Sequence, residues 1–167
     1  MWLLPVVFML HDFEEIIMMR PWFDRNAGFL RKRFPGLADR MLGHFEKLST
    51  SSFALAVAEE FMIIAAVTFL AVEYGWYAVW GGMLLGFFAH IIVHLVQFLA
   101  IKRYAPMIIT SIPAAVYCVY AVNHLLKAGY ATWPALWPWT LFFIAFIAVN
   151  ILLAHRLAAR FEQRLRR

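Results

Sequence analysis

One histidine and three acids lie inside an otherwise apolar stretch, MLHDFEEIIMMR, which runs from Met9 to Arg20. If this stretch is a helix, His11, Glu14 and Glu15 are related as i, i+3 and i+4, so their side chains share one face. A helix that presents a histidine and carboxylates on one face can supply ligands to a metal ion. The flanking residues are typical of a membrane span, where an unpaired ionisable group costs a few kcal/mol, so these side chains are candidates for function.

Two further apolar stretches carry groups of the same chemistry. Glu59 and Glu60 are adjacent. Since neighbouring helix positions differ by about 100°, we expect one carboxylate to face the first group and the other to meet a neighbour, a water or a second ion. His90 and His94 are an i, i+4 pair, whose imidazoles can reach one ion. Such a pair alone is more often part of a hydrogen-bonded core, but its combination with four acids favours metal ligation.

Gly82 and Gly86 precede the two histidines with the same four-residue spacing. Glycines let another helix approach closely in a membrane, and we expect the histidines to point into the same seam. Counted at 1.5 Å per residue from the cytoplasmic end of each span, the acids and histidines of the three stretches lie roughly 8 to 16 Å deep. This common level predicts one shared site.

The composition indicates which elements position these groups. Of the 167 residues, 64% are hydrophobic, whereas about half are apolar in an ordinary soluble domain. We therefore predict an all-α, polytopic membrane helical bundle with five transmembrane helices, which forms a single membrane domain over residues 1–167. The runs that are long enough, or nearly long enough, to cross a bilayer are about 1–19, 53–72, 77–101, 107–126 and 137–153.

The basic residues predict an orientation. Every Lys and Arg except Lys127 lies in the first connection, the third connection or the C-terminal tail, and with five spans all of these segments fall on one side. The positive-inside rule then places the N-terminus outside and the C-terminus in the cytoplasm, as expected for a multi-pass protein of a bacterial cytoplasmic membrane. The net charge of +5 follows from this orientation and gives no reason to expect nucleic acid as a partner.

The first connection, residues 20–51, is the only long one. After a break at Pro35-Gly36 its charged residues alternate with apolar ones, which predicts an interfacial amphipathic helix between the first and second spans. The apolar positions of that helix are Leu37, Met41, Phe45 and Leu48. The alternative is a lid over the site. The Ser and Thr residues at 49–52 are expected to cap the second span.

The predicted metal ligands are His11, Glu14, Glu15, Glu59, Glu60, His90 and His94. Four carboxylates with two or three imidazoles match a dinuclear carboxylate site in a helical bundle, and two divalent cations would neutralise the four carboxylates. We therefore predict a divalent metal cofactor of two ions, and the mixed O and N ligation suits Fe, Mn or Zn. Glu60 and Tyr117 are the predicted catalytic residues. Asn150, near the cytoplasmic end of the fifth predicted span, is expected to cap a helix or form a hydrogen bond, whereas His124 comes out roughly 25 Å deep, too far for the shared site.

The signature of the HXXEE family of small integral membrane proteins is matched by His11-Asp12-Phe13-Glu14-Glu15, and the chain resembles that family over most of its length. A further histidine of the family and the Tyr-x-Pro-Gly element after it correspond to His94 and to Tyr104-Ala105-Pro106-Met107, with methionine in place of glycine. The resemblance implies a membrane protein with a functional His/Glu site and no established activity.

These features favour a membrane-embedded metalloenzyme that acts on a lipid or another apolar substrate from the cytoplasmic side. With iron the reaction would be oxidation or hydroxylation, and with zinc it would be hydrolysis by a metal-activated water with a glutamate as general base. The carboxylate-rich ligand set slightly favours oxidation. A similarity to the glutamate-type prenyl endopeptidases, which also use a Glu-Glu pair and histidines on membrane helices, indicates a hydrolase as the alternative. In those enzymes an arginine follows the second glutamate by four residues. Here Arg20 follows Glu15 by five residues, so the spacing differs by one.

Two other classes of protein could use the same residues. A metal or proton transporter, or a metal-binding accessory protein, would use the acids and histidines as a relay, and Tyr117, Tyr120 and His124 would extend a path to the outer face. A purely structural bundle would keep the acids protonated. The expected partners are membrane lipids and an apolar or lipid-like small molecule, and the sequence is compatible with a monomer or a homo-oligomer.

Overall fold

The computed structural model describes residues 1–45 and 49–165, and the regular structure in these two ranges is helical throughout, without a strand. The predicted all-α class is therefore confirmed. The helices, in chain order, are α1 (Leu3–Arg33), α2 (Leu37–Phe45), α3 (Thr50–Tyr74), α4 (Tyr77–Ile101), α5 (Ile108–Lys127) and α6 (Trp133–Leu165).

Within the described part of the chain, four helices are long and apolar enough to cross a membrane: α3, α4, α5 and the Trp133–Asn150 portion of α6. Large apolar side chains cover their outer surfaces, such as Met62 at 64% exposure and Ile109 at 65%, as suits contact with lipid. The chain is therefore an integral membrane protein. The first predicted span, 1–19, is not one of the four, because its three acids lower its hydropathy, and its crossing stays a prediction.

Helix α1 differs most from the predicted element at the same place. The predicted span ends at residue 19, but the helix continues through Pro21 to Arg33. Its second half is held by a group of buried side chains that it shares with α2 and with the connection between α4 and α5. This group, called here the basal cluster, consists of Met19, Trp22, Phe23, Leu30, Ala38, Leu42, Ala105 and Met107.

The predicted amphipathic helix is present as α2, which follows Gly36 with its positive φ of 78°. Ala38 and Leu42 are 2% and 3% exposed, because they pack into the basal cluster. Leu37, from the apolar stripe expected on this helix, is instead 56% exposed. Leu48, the last position of that stripe, lies outside the described residues, and the interfacial location of α2 stays a prediction.

The expected close approach at the glycines of α4 is confirmed, and the approaching helix is α6. A Cβ atom added to Gly82 would lie 2.3 Å from the Cβ of Trp139 and 2.9 Å from the backbone nitrogen of Thr140. The histidines do not share this seam. Each four-residue step turns about 40° around a helix, so His94 lies about 120° around α4 from Gly82 and faces α1 instead.

Hydrogen bonds bring four segments together at one end of the bundle. The Ser49 hydroxyl accepts a bond from the Ser52 amide, which confirms the expected cap of α3, and the Ser52 hydroxyl donates to Glu162 of α6 at 2.7 Å. The Trp22 indole of α1 donates to the carbonyl oxygen of Tyr104, after α4, at 2.6 Å. This end, which carries the basal cluster, is therefore also the end that carries most of the basic residues.

We predict that Gly82→Ala lowers the stability of the protein, because its methyl group would overlap the backbone of α6 at a cost of about 1–3 kcal/mol. Gly28→Ala is the matched control: it makes the same change inside a helix, with no atom within 4 Å of the new Cβ. Alanine there should stabilise the helix by about 0.5–1 kcal/mol. Thermal unfolding of both variants in detergent measures the difference, and equal melting temperatures would contradict the predicted contact.

Candidate metal centre

Four buried or half-buried side chains converge between α1 and α4. His11 and Glu15 lie one turn apart on α1, and His90 and His94 lie one turn apart on α4. One ligand atom from each of the four lies within 4.8 Å of the others. The Nε2 atom of His94 is 3.2 Å from Oε1 of Glu15 and 2.7 Å from Nε2 of His90. We call these four residues the His/Glu cluster.

The atoms that meet in the His/Glu cluster are rich in lone pairs and poor in donors. Nε2 of His11 is buried without a hydrogen-bond partner among the described residues, and the buried Oε1 of Glu15 has only the 3.2 Å contact with Nε2 of His94, which is not aligned as a hydrogen bond. Each such atom costs about 1–3 kcal/mol when it is left unsatisfied. The two imidazole nitrogens 2.7 Å apart require a proton or a cation between them. A metal ion would satisfy all these atoms at once, so the residues fit one.

Glu14 points away from the His/Glu cluster and binds α5. Its Oε2 accepts from the Thr110 hydroxyl at 2.6 Å and from the Thr110 amide at 2.9 Å. The same hydroxyl lies 3.2 Å from Nδ1 of His11. Because a threonine hydroxyl has one proton and the shorter bond to Glu14 uses it, we assign it as acceptor from the Nδ1–H of His11. This tautomer leaves Nε2 of His11 free to bind a metal.

Tyr104, in the connection between α4 and α5, completes this hydrogen-bonded chain. Its hydroxyl donates to Oε1 of Glu14 at 2.9 Å. Partial burial and the bond to Glu14 raise the pKa of Tyr104 to about 12, so the hydroxyl remains a donor at neutral pH. Both oxygens of Glu14 are thus occupied by neutral donors, and Glu14 supports His11 through Thr110.

The second acidic pair is divided between two neighbours. Oε2 of Glu59 accepts from Nδ2 of Asn150 on α6 at 2.9 Å, so Asn150 forms a hydrogen bond as expected. Glu60 lines a cavity beside the His/Glu cluster, as does Asp12, whose Oδ2 is buried without a partner among the described residues. One carboxylate of the Glu59–Glu60 pair was expected to face the ligands of α1. Glu60 is the one on that side.

The polar stripe of α5 lies apart from the His/Glu cluster. Tyr117 packs against the main core and is not among the described residues that line the cavity. Tyr120 is 69% exposed and stacks on His124 at the outer surface of the helix. The role predicted for Tyr117 is therefore not supported by a contact with the cavity, and these residues do not form a path that leads from the cluster.

The cavity next to the His/Glu cluster has a volume of about 430 Å³, which is within the range of about 300–1,000 Å³ for small-molecule sites. Glu15, His90 and His94 belong to both the cluster and the cavity wall. From there the wall continues along apolar side chains of the basal cluster, including Trp22 and Leu30. The arrangement can therefore hold an apolar molecule against a bound ion.

Sequence reasoning did not assign a role to Asp12, Tyr104 or Thr110. Thr110 is one hydroxyl in an apolar helix, and nothing in its spacing distinguishes it from a threonine that bonds to its own backbone. Asp12 belongs to the conspicuous group in α1, but it is one helix position from His11 and so lies about 100° around the helix from it. Tyr104 had one signal, its place in the Tyr-x-Pro element.

The fold and the site define a helical membrane protein with a candidate His/Glu metal centre. A family model described as "Protein of unknown function with HXXEE motif" matches residues 2–122. The chain belongs to the HXXEE family, as its motif predicted. The matched range includes the His/Glu cluster, Glu14 and Thr110. No curated protein and no solved structure matches the chain.

Met107, which replaces the glycine of the Tyr-x-Pro-Gly element, has a φ of 84°, in the region that favours glycine. A side chain in this region costs about 1–2 kcal/mol. The Met107 side chain is 8% exposed in the basal cluster, and burial of a methionine contributes about 1.5–3 kcal/mol. Its packing therefore offsets the backbone strain, which explains how methionine is tolerated there.

We predict that Thr110→Val lowers the affinity for a divalent metal roughly 10- to 100-fold, because it removes the hydroxyl that orients His11. Thr110→Ser keeps the hydroxyl and is the matched control. Competition with a chelator, measured on detergent-purified protein with Zn²⁺ or Mn²⁺, gives the three affinities. If the valine variant folds and binds as tightly as the serine variant, the orienting role of Thr110 is excluded.

Proposed function

We propose that this chain is a membrane-embedded metalloenzyme, which holds a divalent ion in the His/Glu cluster and acts on a lipid or another apolar substrate in the adjoining cavity. One observation carries the proposal: Glu15, His90 and His94 are at the same time members of the cluster and part of the wall of an otherwise apolar cavity. A molecule in that cavity would touch the ion directly. A purely structural ion would have no need of such a space.

The types of ligand atom in the His/Glu cluster limit which metals, and therefore which reactions, suit the site. Three imidazoles and one carboxylate suit Fe, Mn or Zn. If all four bind a tetrahedral zinc ion, its coordination is complete, as in structural zinc sites. A six-coordinate iron or manganese ion would keep two positions open, which suits oxidation or hydroxylation and favours it over zinc-dependent hydrolysis. Hydrolysis would require that one of the four protein ligands does not bind.

The protein's own groups would handle protons at the substrate. Glu60 lines the cavity beside the cluster, where its carboxylate is placed to accept a proton, in agreement with its predicted catalytic role. A second ion, as expected for a dinuclear site, would draw on Glu60 and on Asp12, which lines the same wall. The metal content of the purified protein directly measures whether the site binds one ion or two.

We further propose that α1 also crosses the membrane and so brings the number of spans to five. In this arrangement the N-terminus is outside and the cavity lies on the cytoplasmic side. Its acids and histidine turn inward, and its opposite face is entirely apolar and between 48% and 64% exposed, as a lipid-facing surface would be. The residues of that face are Leu3, Val6, Leu10, Phe13 and Ile17. The gathering of the basic segments at the basal end supports the orientation.

We predict that protein produced with added Fe, Mn and Zn retains at least one equivalent of one of these metals through purification. His94→Ala should reduce the bound metal at least tenfold, because it removes a central donor. His124→Ala, which replaces a histidine at the surface of α5, should leave it unchanged. Elemental analysis of the three proteins, with melting temperatures to verify folding, tests this.

The proposal is refuted if the wild-type protein is free of metal under these conditions, or if a folded His94→Ala variant keeps as much metal as His124→Ala. Glu14→Ala separates ligands from supporting residues. We expect it to retain bound metal at saturating concentration but with lower affinity, since Glu14 contacts Thr110 and not the cluster. A stoichiometric loss equal to that of His94→Ala would instead make Glu14 a ligand.

A further inference from the structure

The cavity is elongated along the helices. On α1 its wall extends from Asp12 to Leu30, which is about 27 Å along the helix axis, and on α4 it extends from His90 to Ile101, about 16 Å. A sphere of 430 Å³ would be only about 9 Å across. The space therefore fits a narrow, extended molecule better than a rounded one.

The two ends of the cavity differ in chemistry. Polar groups gather at the end next to the His/Glu cluster, where Asp12, Glu60 and Gln97 join the cluster residues. The other end is formed by the basal cluster, where side chains such as Phe23 and Leu30 are apolar. A molecule that matches both ends has one polar terminus and one apolar chain.

The charged side chains at the polar end of the cavity indicate which polar group the bound molecule carries at its terminus. Asp12, Glu15 and Glu60 are acidic, and no Lys or Arg is present among the described residues that line the cavity. An anionic headgroup would therefore meet carboxyl groups and no positively charged Lys or Arg side chain among these wall residues. Asp12 is 5% exposed, and its unpartnered Oδ2 needs a hydrogen bond. A hydroxyl can donate to this oxygen or accept from it, whichever form the carboxyl takes.

We propose that the cavity binds a long-chain alcohol, with its hydroxyl at Asp12 beside the His/Glu cluster and its single chain along α1 towards Leu30. This inference rests on the proposed function for the identity of the cavity as the substrate site, and it names the class of substrate. The lack of a Lys or Arg among the described wall residues favours the alcohol over the corresponding fatty acid anion. The extent of the wall along α1 favours a single chain over a sterol-like ring system.

The test measures retention of three probes by the full-length protein in nanodiscs made of phosphatidylcholine: 1-hexadecanol, palmitate and hexadecane. They share a chain length and differ at one terminus. After gel filtration, mass spectrometry of the extracted lipids should show hexadecanol near one equivalent, with palmitate and hexadecane at least tenfold lower. Equal retention of palmitate overturns the inference about the polar end, and equal retention of hexadecane shows that Asp12 has no role.

Two variants locate the binding in this cavity. Val57→Phe adds a ring where a 4% exposed side chain lines the wall, and should reduce hexadecanol retention at least tenfold. Val72→Phe makes the same change on α3 at a 39% exposed position outside the wall and should have no effect. Asp12→Leu should bring hexadecanol down to the level of hexadecane. An equal loss in Val57→Phe and Val72→Phe, or no loss in a folded Asp12→Leu, overturns the inference.

Metal content, measured on the same samples, separates the two proposals. Bound metal without selective retention of hexadecanol would overturn the present inference and leave the metal centre in place. Selective retention of hexadecanol by a protein free of metal would refute the metalloenzyme and keep the ligand class. Melting temperatures exclude misfolding as the cause of a lost ligand.

Discussion

The arrangement of the bundle depends on the burial of acids and unprotonated imidazole nitrogens in a medium that cannot solvate them. Nε2 of His11 is buried without a hydrogen-bond partner in the described structure, and Nε2 of His94 lies between Oε1 of Glu15 and Nε2 of His90. Lone pairs that face one another in an apolar bundle repel, because an apolar medium does not screen or solvate them. A positive charge at their common centre reverses the sign of this interaction, so a bound cation would stabilise the fold as well as the site.

The supports of the His/Glu cluster come from α5, from the connection between α4 and α5, and from the two helices that carry the ligands themselves. Tyr104 donates to Glu14, Glu14 accepts from Thr110, and Thr110 holds the ring of His11, so a residue of α5 orients a side chain of α1. Gln97 lies 3.2 Å from Nδ1 of His94 on the opposite side. Each of these two imidazoles thus has one nitrogen occupied outside the cluster and the other turned into it, which is the arrangement that metal-binding histidines require.

The amino-acid sequence was sufficient to predict α3, α4 and α5 and four of the side chains that meet, within a larger predicted set of seven ligands. The apolar runs correspond closely to α3, α4 and α5, because length and hydropathy alone determine whether a segment can cross a bilayer. The small residues of α4 also indicated a close neighbour. Which neighbour approaches cannot be read from Gly82, because the partner residue, Trp139, lies in a distant segment without a matching pattern.

The direction of individual carboxylates could not be predicted. Glu14 and Glu15 are both close to His11 on one face of α1, yet they lie about 100° apart, on either side of it. Only the packing of α4 on one side and α5 on the other decides that Glu15 enters the His/Glu cluster and that Glu14 binds Thr110. The same reasoning applies to Glu59 and Glu60, whose separation depends on where Asn150 of α6 lies.

The location of the cavity follows from how the helices are paired. The closest backbone neighbours of α1 are α3, α2 and α5, while α4 packs most closely on α6 and α5. Helices α1 and α4 therefore leave a gap that backbone packing does not close, and the side chains of the His/Glu cluster project into this gap from both helices. At the level of the cluster, histidine and glutamate side chains reach across it. Nearer the basal end the wall is apolar and the gap persists as the cavity, with side chains of the His/Glu cluster at one end of it.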